Sequence, residues 1–256
     1  MKAIYTLILP RLEVFYLQEW VEHHLNIGYD KIFIYNNGRI SVDHTRGAKP
    51  WRALTDAEKK FKWSKKPDSY YAKEYSDAQI NDKLICICDS FDGHVSLTSW
   101  AYGIDHSVPY PASQITGYKD VRKKFSNIEW WLFIDPDEFL ILYEDLSIDQ
   151  FINRYPNAGS FVFSCRIFNG RSVDKPVRNI FNWAYEFREK TMSNKTAYNF
   201  AKGVHIMPVL EGEMIYVPKN LSRIYHYRGW PIDNSMHRAH GHGDFKEFDD
   251  RMKKYL

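Results

Sequence analysis

Residues 3–37 read AIYTLILPRLEVFYLQEWVEHHLNIGYDKIFIYNN, and the succession of patterns in them decides the fold. Ala3 to Leu9 is a nearly continuous apolar run halted by Pro10, the mark of a strand buried on both faces in a parallel sheet. Val14, Leu17, Val21 and Leu25 then recur at helical spacing, with Glu13, Gln18, Glu22 and His23 elsewhere on the wheel, until Asn26-Ile27-Gly28 supplies a stop. Ile32 to Tyr35 is a second apolar run, broken at Asn36-Asn37-Gly38. Strand, helix and strand within about 35 residues form a βαβ unit with an expected right-handed crossover. Ligands of such sheets bind beyond the carboxyl ends of the strands, which points Pro10–Glu13 and Asn36–Arg39 at a site.

Around this unit the chain has 256 residues, 44% hydrophobic and 26% charged, enough for one large α/β domain spanning 1–256 and too few for two with a linker. Aromatic residues make up 16% of it, which suits a large core with surfaces for stacking on flat ligands. A net charge of only +3 gives no support to nucleic-acid binding driven by phosphate neutralisation. Three cysteines, Cys86, Cys88 and Cys165, form neither a metal quartet nor an even disulfide set, and Cys86-x-Cys88 alternates as on a strand, so core packing is their expected role. No apolar run reaches the roughly 20 residues of a membrane span and no signal-peptide pattern opens the chain, so the expectation is a soluble, cytoplasmic protein.

The segment from about 40 to 75 departs from this pattern. Between Arg46 and Lys73 nine Lys or Arg stand against three Asp or Glu with no sustained periodicity. It reads as a surface insertion, either simply solvated or a basic lobe meeting an anionic acceptor or a membrane surface peripherally. Leu84 to Ile87 and Val95 to Trp100 read as strands, and Ala112 to Phe125 as a helix with Ile115, Tyr118, Val121 and Phe125 on one face. Ser147 and Gln150 form a capping box ahead of Ile148, Phe151 and Ile152. Ser160 to Phe168 is a strand, Asn169-Gly170 a turn, and 201–227 several short strands. From about 231 to 256 the tail is polar, His-rich and ends in a basic helix-like piece.

The stretch richest in chemistry is Trp130 to Ile134, an apolar strand that ends abruptly in Asp135-Pro136-Asp137-Glu138. Three carboxylates in four positions at the end of a buried strand are costly without a compensating cation or set of donors. Hard oxygen ligands suit Mg²⁺ or Mn²⁺, ions that typically hold substrate phosphates. A phosphohydrolase of the haloacid-dehalogenase type also carries D-x-D after a strand, but it wants Thr where Phe139 stands and places the motif on its first strand. His237, His240 and His242 lack the spacing and partners of a zinc site and read as a polar loop. His226, in the alternating Ile224-Tyr225-His226-Tyr227, reads either as a structural histidine of a strand or as one that returns to the carboxylates.

Arg11-Leu12-Glu13, Tyr16-Leu17-Gln18-Glu19-Trp20 and His24 through Asn37 resemble the start of the family 2-like and family 92 glycosyltransferases. Gln114, Trp131 to Leu140, Phe168-Asn169-Gly170, Lys202 and His226-Tyr227 follow in the same order, so the resemblance spans roughly residues 3 to 228. It implies a GT-A type, Rossmann-like fold with a mixed central sheet flanked by helices, a nucleotide-diphosphate sugar as donor, and Mn²⁺ (or Mg²⁺). By the same resemblance Asp135, Asp137 and His226 make up the metal site, Asp137 and His226 as ligands and Asp135 touching the ribose or a metal-bound water. Arg11, Glu13 and Asn36 hold the base and ribose, and Lys202 meets a phosphate. Two positions depart from the pattern: Asn36 and Leu12 stand where the family has Asp and Asn. The expected activity is transfer of a sugar to an acceptor hydroxyl on a glycan, with inversion; a non-catalytic carbohydrate-binding protein is the rival class. Inversion requires a general base, for which Glu186 in its partly apolar segment comes first and Asp174 second.

Overall fold

Both faces of the first strand are covered, as its unbroken apolar run requires. The computed structural model describes residues 1–37, 75–100, 110–168, 182–196, 211–227 and 247–248. Strands β1 (Lys2–Ile8), β2 (Lys31–Asn36), β3 (Val95–Ser99) and β4 (Trp130–Phe133) lie parallel in the order β3-β2-β1-β4. Even-numbered side chains Ile4, Ile8, Ile32, Ile34 and Leu132 enter one core, and odd-numbered Tyr5, Leu7, Phe33, Tyr35, Trp131 and Phe133 enter another. The period of two thus sorts one apolar run into an aliphatic face and an aromatic face.

Helix α1 (Pro10–Asn26) starts with Pro at its first turn, where no backbone donor is lost. Leu9, its N-cap, supplies no side-chain cap; the Leu9 amide instead donates to Glu13 Oε2 at 2.6 Å. Gly28 ends the helix at φ +99, a left-handed conformation that an L side chain resists. Helix α2 (Asp77–Asp89) packs against α1, and helix α3 (Tyr110–Lys124) lies on the aromatic face, where Tyr118 meets Tyr5 and Phe133. The short α4 (Ile148–Asn153) is capped by Ser147, whose Oγ accepts from the Gln150 amide; Gln150 Oε1 in turn accepts from Leu146, one residue before the expected partner.

Beyond β4 the sheet turns mixed. β5 (Glu138–Leu142), β6 (Ala158–Phe168), β7 (Asn182–Asn194) and β9 (Ser222–Tyr227) extend it in the order β4-β7-β6-β9-β5, with β8 (Glu213–Tyr216) beside β6 and β10 (Glu247–Phe248) beside β7. β4–β7, β7–β6 and β9–β5 are antiparallel and β6–β9 parallel. The molecule is therefore a mixed α/β sheet flanked by helices, the expected class. The sheet curls until its last strand, β5, meets α1, the helix that also covers β2. Among the described residues no helix is long and apolar enough to cross a membrane.

The strand expected at Leu84–Ile87 is instead part of α2. Ile80, Leu84, Ile87 and Cys88 make one buried helical face, and a Ser76–Gln79 capping box starts the helix eight residues before Leu84. Residues two apart on a helix point in nearly opposite directions, so Cys88 is buried and Cys86 exposed, and Cys86 has no core role. β5 and β7 carry no assignment at the sequence level. The insertion at about 40–75 up to residue 74, the turn at Asn169-Gly170, strands within 201–210 and most of the His-rich tail lie outside the described residues.

Gly117 on α3 marks a close approach. A Cβ there would collide with the hydroxyl of Tyr5, a fully buried side chain on β1. Gly117→Ala is expected to cost about 1–3 kcal/mol through overpacking. Tyr5→Phe on the same background should recover most of it, as urea unfolding midpoints would record.

Candidate active site

The carboxyl ends of β1, β2 and β4 bring the start of α1, Asn36 and the acidic turn to one edge of the parallel sheet. Asp135 to Glu138 form a tight turn: the Glu138 amide donates to the Asp135 carbonyl at 3.0 Å, with Pro136 at the position where a fixed φ favours it. The turn then enters β5, whose Glu138 lies opposite His226 of β9 in register. The Tyr227 amide donates to the Asp137 carbonyl at 2.7 Å, which fastens the turn to β9.

Two contacts follow from this pairing. His226 Nε2 lies 3.0 Å from Asp137 Oδ2 and His226 Nδ1 lies 3.6 Å from Glu138 Oε1. Asp137 and His226 keep 17% and 16% of their side-chain surface, enough to face a ligand, whereas Glu138 keeps 3%. Lys190 of β7, 3% exposed, places its Nζ 2.8 Å from Glu138 Oε2 and 3.1 Å from Asp135 Oδ2. Glu138 Oε2 also accepts from the Asp135 amide at 2.9 Å, and Gln114 Nε2 donates to Asp135 Oδ1 at 3.3 Å. The carboxylate cost inferred from the sequence is thus met in part by an internal ammonium and amide donors. Burial pulls the Lys190 pKa down, but the fields of Asp135 and Glu138 outweigh it and hold the group well above its ordinary value. Burial pushes the Glu138 carboxyl up, against the opposing field of Lys190.

Helix α1 fixes this turn from the other side. Trp20 Nε1 donates to the Glu138 carbonyl at 2.7 Å, His23 Nε2 to the Leu140 carbonyl at 2.8 Å, and His24 Nε2 accepts from the Leu140 amide at 3.3 Å. Three side chains of one helix satisfy backbone groups on the edge of β5 where no strand pairs with it among the described residues. His24 Nδ1 donates to the Trp20 carbonyl at 2.8 Å, which sets the neutral tautomer with Nε2 as acceptor. Burial, then the neighbouring His23, hold the His24 pKa well below its ordinary value. Unfolded histidine titrates near about 6.5, so below that pH the unfolded chain takes up a proton that folded His24 refuses. The His24 contribution to stability is therefore full above pH ~6.5 and falls below it by up to about 1.4 kcal/mol per pH unit. His24→Gln should remove that share of the slope while costing about 1–3 kcal/mol near neutrality, measured by urea unfolding across the range.

The other expected residues sit as follows. Arg11 Nη1 pairs with Asp77 Oδ1 at 2.6 Å and donates to the Tyr75 carbonyl at 3.3 Å, joining α1 to the start of α2. Glu13 folds back on the Leu9 amide, and the Asn36 carbonyl accepts from Trp100 at 2.8 Å. Glu186 lies on β7 with Arg166 as its partner in register. Asp174 and Lys202 lie outside the described residues. Lys190 is not among the residues singled out from the sequence, and Trp20, His23 and His24 appear there without this clamping role. The alternation Trp183-x-Tyr185-x-Phe187 signals the strand that carries Lys190, but nothing in the sequence pairs Lys190 with Glu138.

Asp137 and His226 offer an oxygen and an imidazole nitrogen, donors that Mn²⁺ accepts, held apart at hydrogen-bond distance on a partly open surface. Among the described residues no group of three or more His, Cys, Asp or Glu side chains converges as a metal cluster, so a dication here would draw its remaining ligands from elsewhere. No family model and no curated protein matches the chain. Among solved structures, UDP-glucose pyrophosphorylase complexed with UDP-glucose is similar at 11% identity and a TM-score of 0.30, over 82% of this chain and 74% of that one. The apo form of a UDP-glucose pyrophosphorylase is similar at 13% identity and a TM-score of 0.29, over 88% and 89%.

Proposed function

We propose that the chain is a metal-dependent glycosyltransferase that moves a sugar from a nucleotide-diphosphate donor to an acceptor hydroxyl on a glycan, with inversion. The observation that carries this reading is the meeting of Asp137 and His226 beside Asp135 at the carboxyl edge of the parallel strands. Asp137 and His226 would hold Mn²⁺ or Mg²⁺, and Asp135, turned toward Lys190, would reach the ribose or a metal-bound water. A dication held there would supply charge neutralisation for the departing diphosphate. Asn36 and the start of α1 border the same edge and would hold the base and ribose; Arg11 would do so while paired with Asp77. Lys202 would meet a phosphate. The acceptor hydroxyl attacks the anomeric carbon as the bond to the diphosphate breaks, and its proton passes to a general base, assigned to Glu186 ahead of Asp174.

A thermal-shift screen of nucleotide sugars, each with and without Mn²⁺, tests the reading. A shift for one donor that needs the metal supports it, and hydrolysis or transfer with that donor completes the assignment. Indifference to every nucleoside diphosphate, with normal glycan binding, would identify a non-catalytic carbohydrate-binding protein instead.

A further inference from the structure

The acidic turn offers three carboxylates, and the structure engages two of them with a buried ammonium. Lys190 Nζ bridges Glu138 Oε2 and Asp135 Oδ2 at 2.8 and 3.1 Å from a position only 3% exposed. The second oxygen of Glu138 faces His226 Nδ1, and the second oxygen of Asp135 accepts from Gln114. We propose that Lys190 is a positioning residue which, by holding Asp135 and Glu138, leaves Asp137 and His226, among the described residues, for a dication, so that the metal enters with a diphosphate and not alone. This rests on the metal-diphosphate reading above and adds the residue that sets its order.

The physical grounds are charge and ligand number. An ammonium has no lone pair to offer a metal and repels one, so Lys190 both occupies the carboxylates and lowers the negative charge of the turn. Octahedral ions such as Mg²⁺ and Mn²⁺ need about six ligands, and the two that the described residues offer leave a site that water alone completes weakly. A nucleoside diphosphate supplies both the missing oxygens and the missing charge. At 3% exposure Lys190 is itself too buried to act as the phosphate ligand, so its effect passes through Asp135 and Glu138.

The test is titration of Mn²⁺ into the full chain, followed by the electron paramagnetic resonance signal of the free ion, with and without UDP. The wild-type chain should take up Mn²⁺ weakly alone and at least about tenfold more tightly with UDP. Lys190→Met should tighten uptake of Mn²⁺ alone by about tenfold, because Asp135 is released, and shrink the effect of UDP. A merely structural lysine would not produce tighter metal binding. Should Lys190→Met fail to fold, Lys190→Met/Glu138→Leu removes both members of the buried pair and still releases Asp135, so the same tightening is expected. Uptake of Mn²⁺ by the variants no tighter than by wild type overturns the role of Lys190 while leaving the transferase reading in place, provided that UDP still strengthens wild-type uptake. Failure of the wild-type chain to take up Mn²⁺ under either condition removes that reading and this inference together.

Discussion

Asp137→Asn is expected to abolish Mn²⁺-dependent retention of UDP and to lower any sugar-transfer rate by about 10²- to 10³-fold, the cost of removing one preorganised oxyanion-stabilising donor. The substitution is nearly isosteric and keeps a hydrogen-bond partner for His226 Nε2, 3.0 Å away, so the turn has little reason to move. The loss would come from charge: an amide oxygen is a poorer ligand for a hard dication than a carboxylate. Because Asp137 keeps 17% exposure and the turn is fastened by backbone bonds, the unfolding free energy should change by about 0.5 kcal/mol or less. Isothermal titration with UDP and Mn²⁺, set beside urea unfolding, separates the two effects. Wild-type affinity in the variant would take Asp137 out of the site.

The largest stability effect is expected at the buried pair behind that turn. Lys190→Met strands the Glu138 carboxylate, 3% exposed, and should cost about 3–5 kcal/mol. Glu138→Leu should cost less, because Lys190 keeps Asp135 at 3.1 Å. The double variant should recover much of the loss, since an apolar pair of similar volume carries no desolvation penalty. A coupling free energy of about 2 kcal/mol in the double-mutant cycle is the expected result, read from urea unfolding of the four proteins. Additive losses would show that Lys190 and Glu138 act independently and that Asp135 is the true partner of the lysine.

The parts of the fold that were legible beforehand share one property: their burial is decided within a few residues of sequence. β1, β2 and β4 are apolar on both faces because helices cover both faces, and this makes their runs continuous. Leu84 to Ile87, within α2, is short enough to fit either the strand or the helix period. The helical face becomes visible only when Ile80 and the Ser76–Gln79 cap are included. β5 was hidden because EFLIL follows a turn so closely that its first residue, Glu138, looks like part of an acidic surface loop. It is instead almost wholly buried.

What the sequence determined by itself is the βαβ start and the D-P-D-E turn at the carboxyl end of an apolar strand, both written in local patterning; the return of His226 toward that turn is implied by the family resemblance alone. What only the tertiary structure decided is which polar group closes on which. Lys190 reaches Asp135 across 55 residues and His24 reaches Leu140 across 116, because β7 pairs with β4 and the sheet curls to bring β5 beneath α1. Side-chain periodicity specifies which face of an element is buried, but the partner of a buried charge depends on strand order and register. Those are set by the chain as a whole.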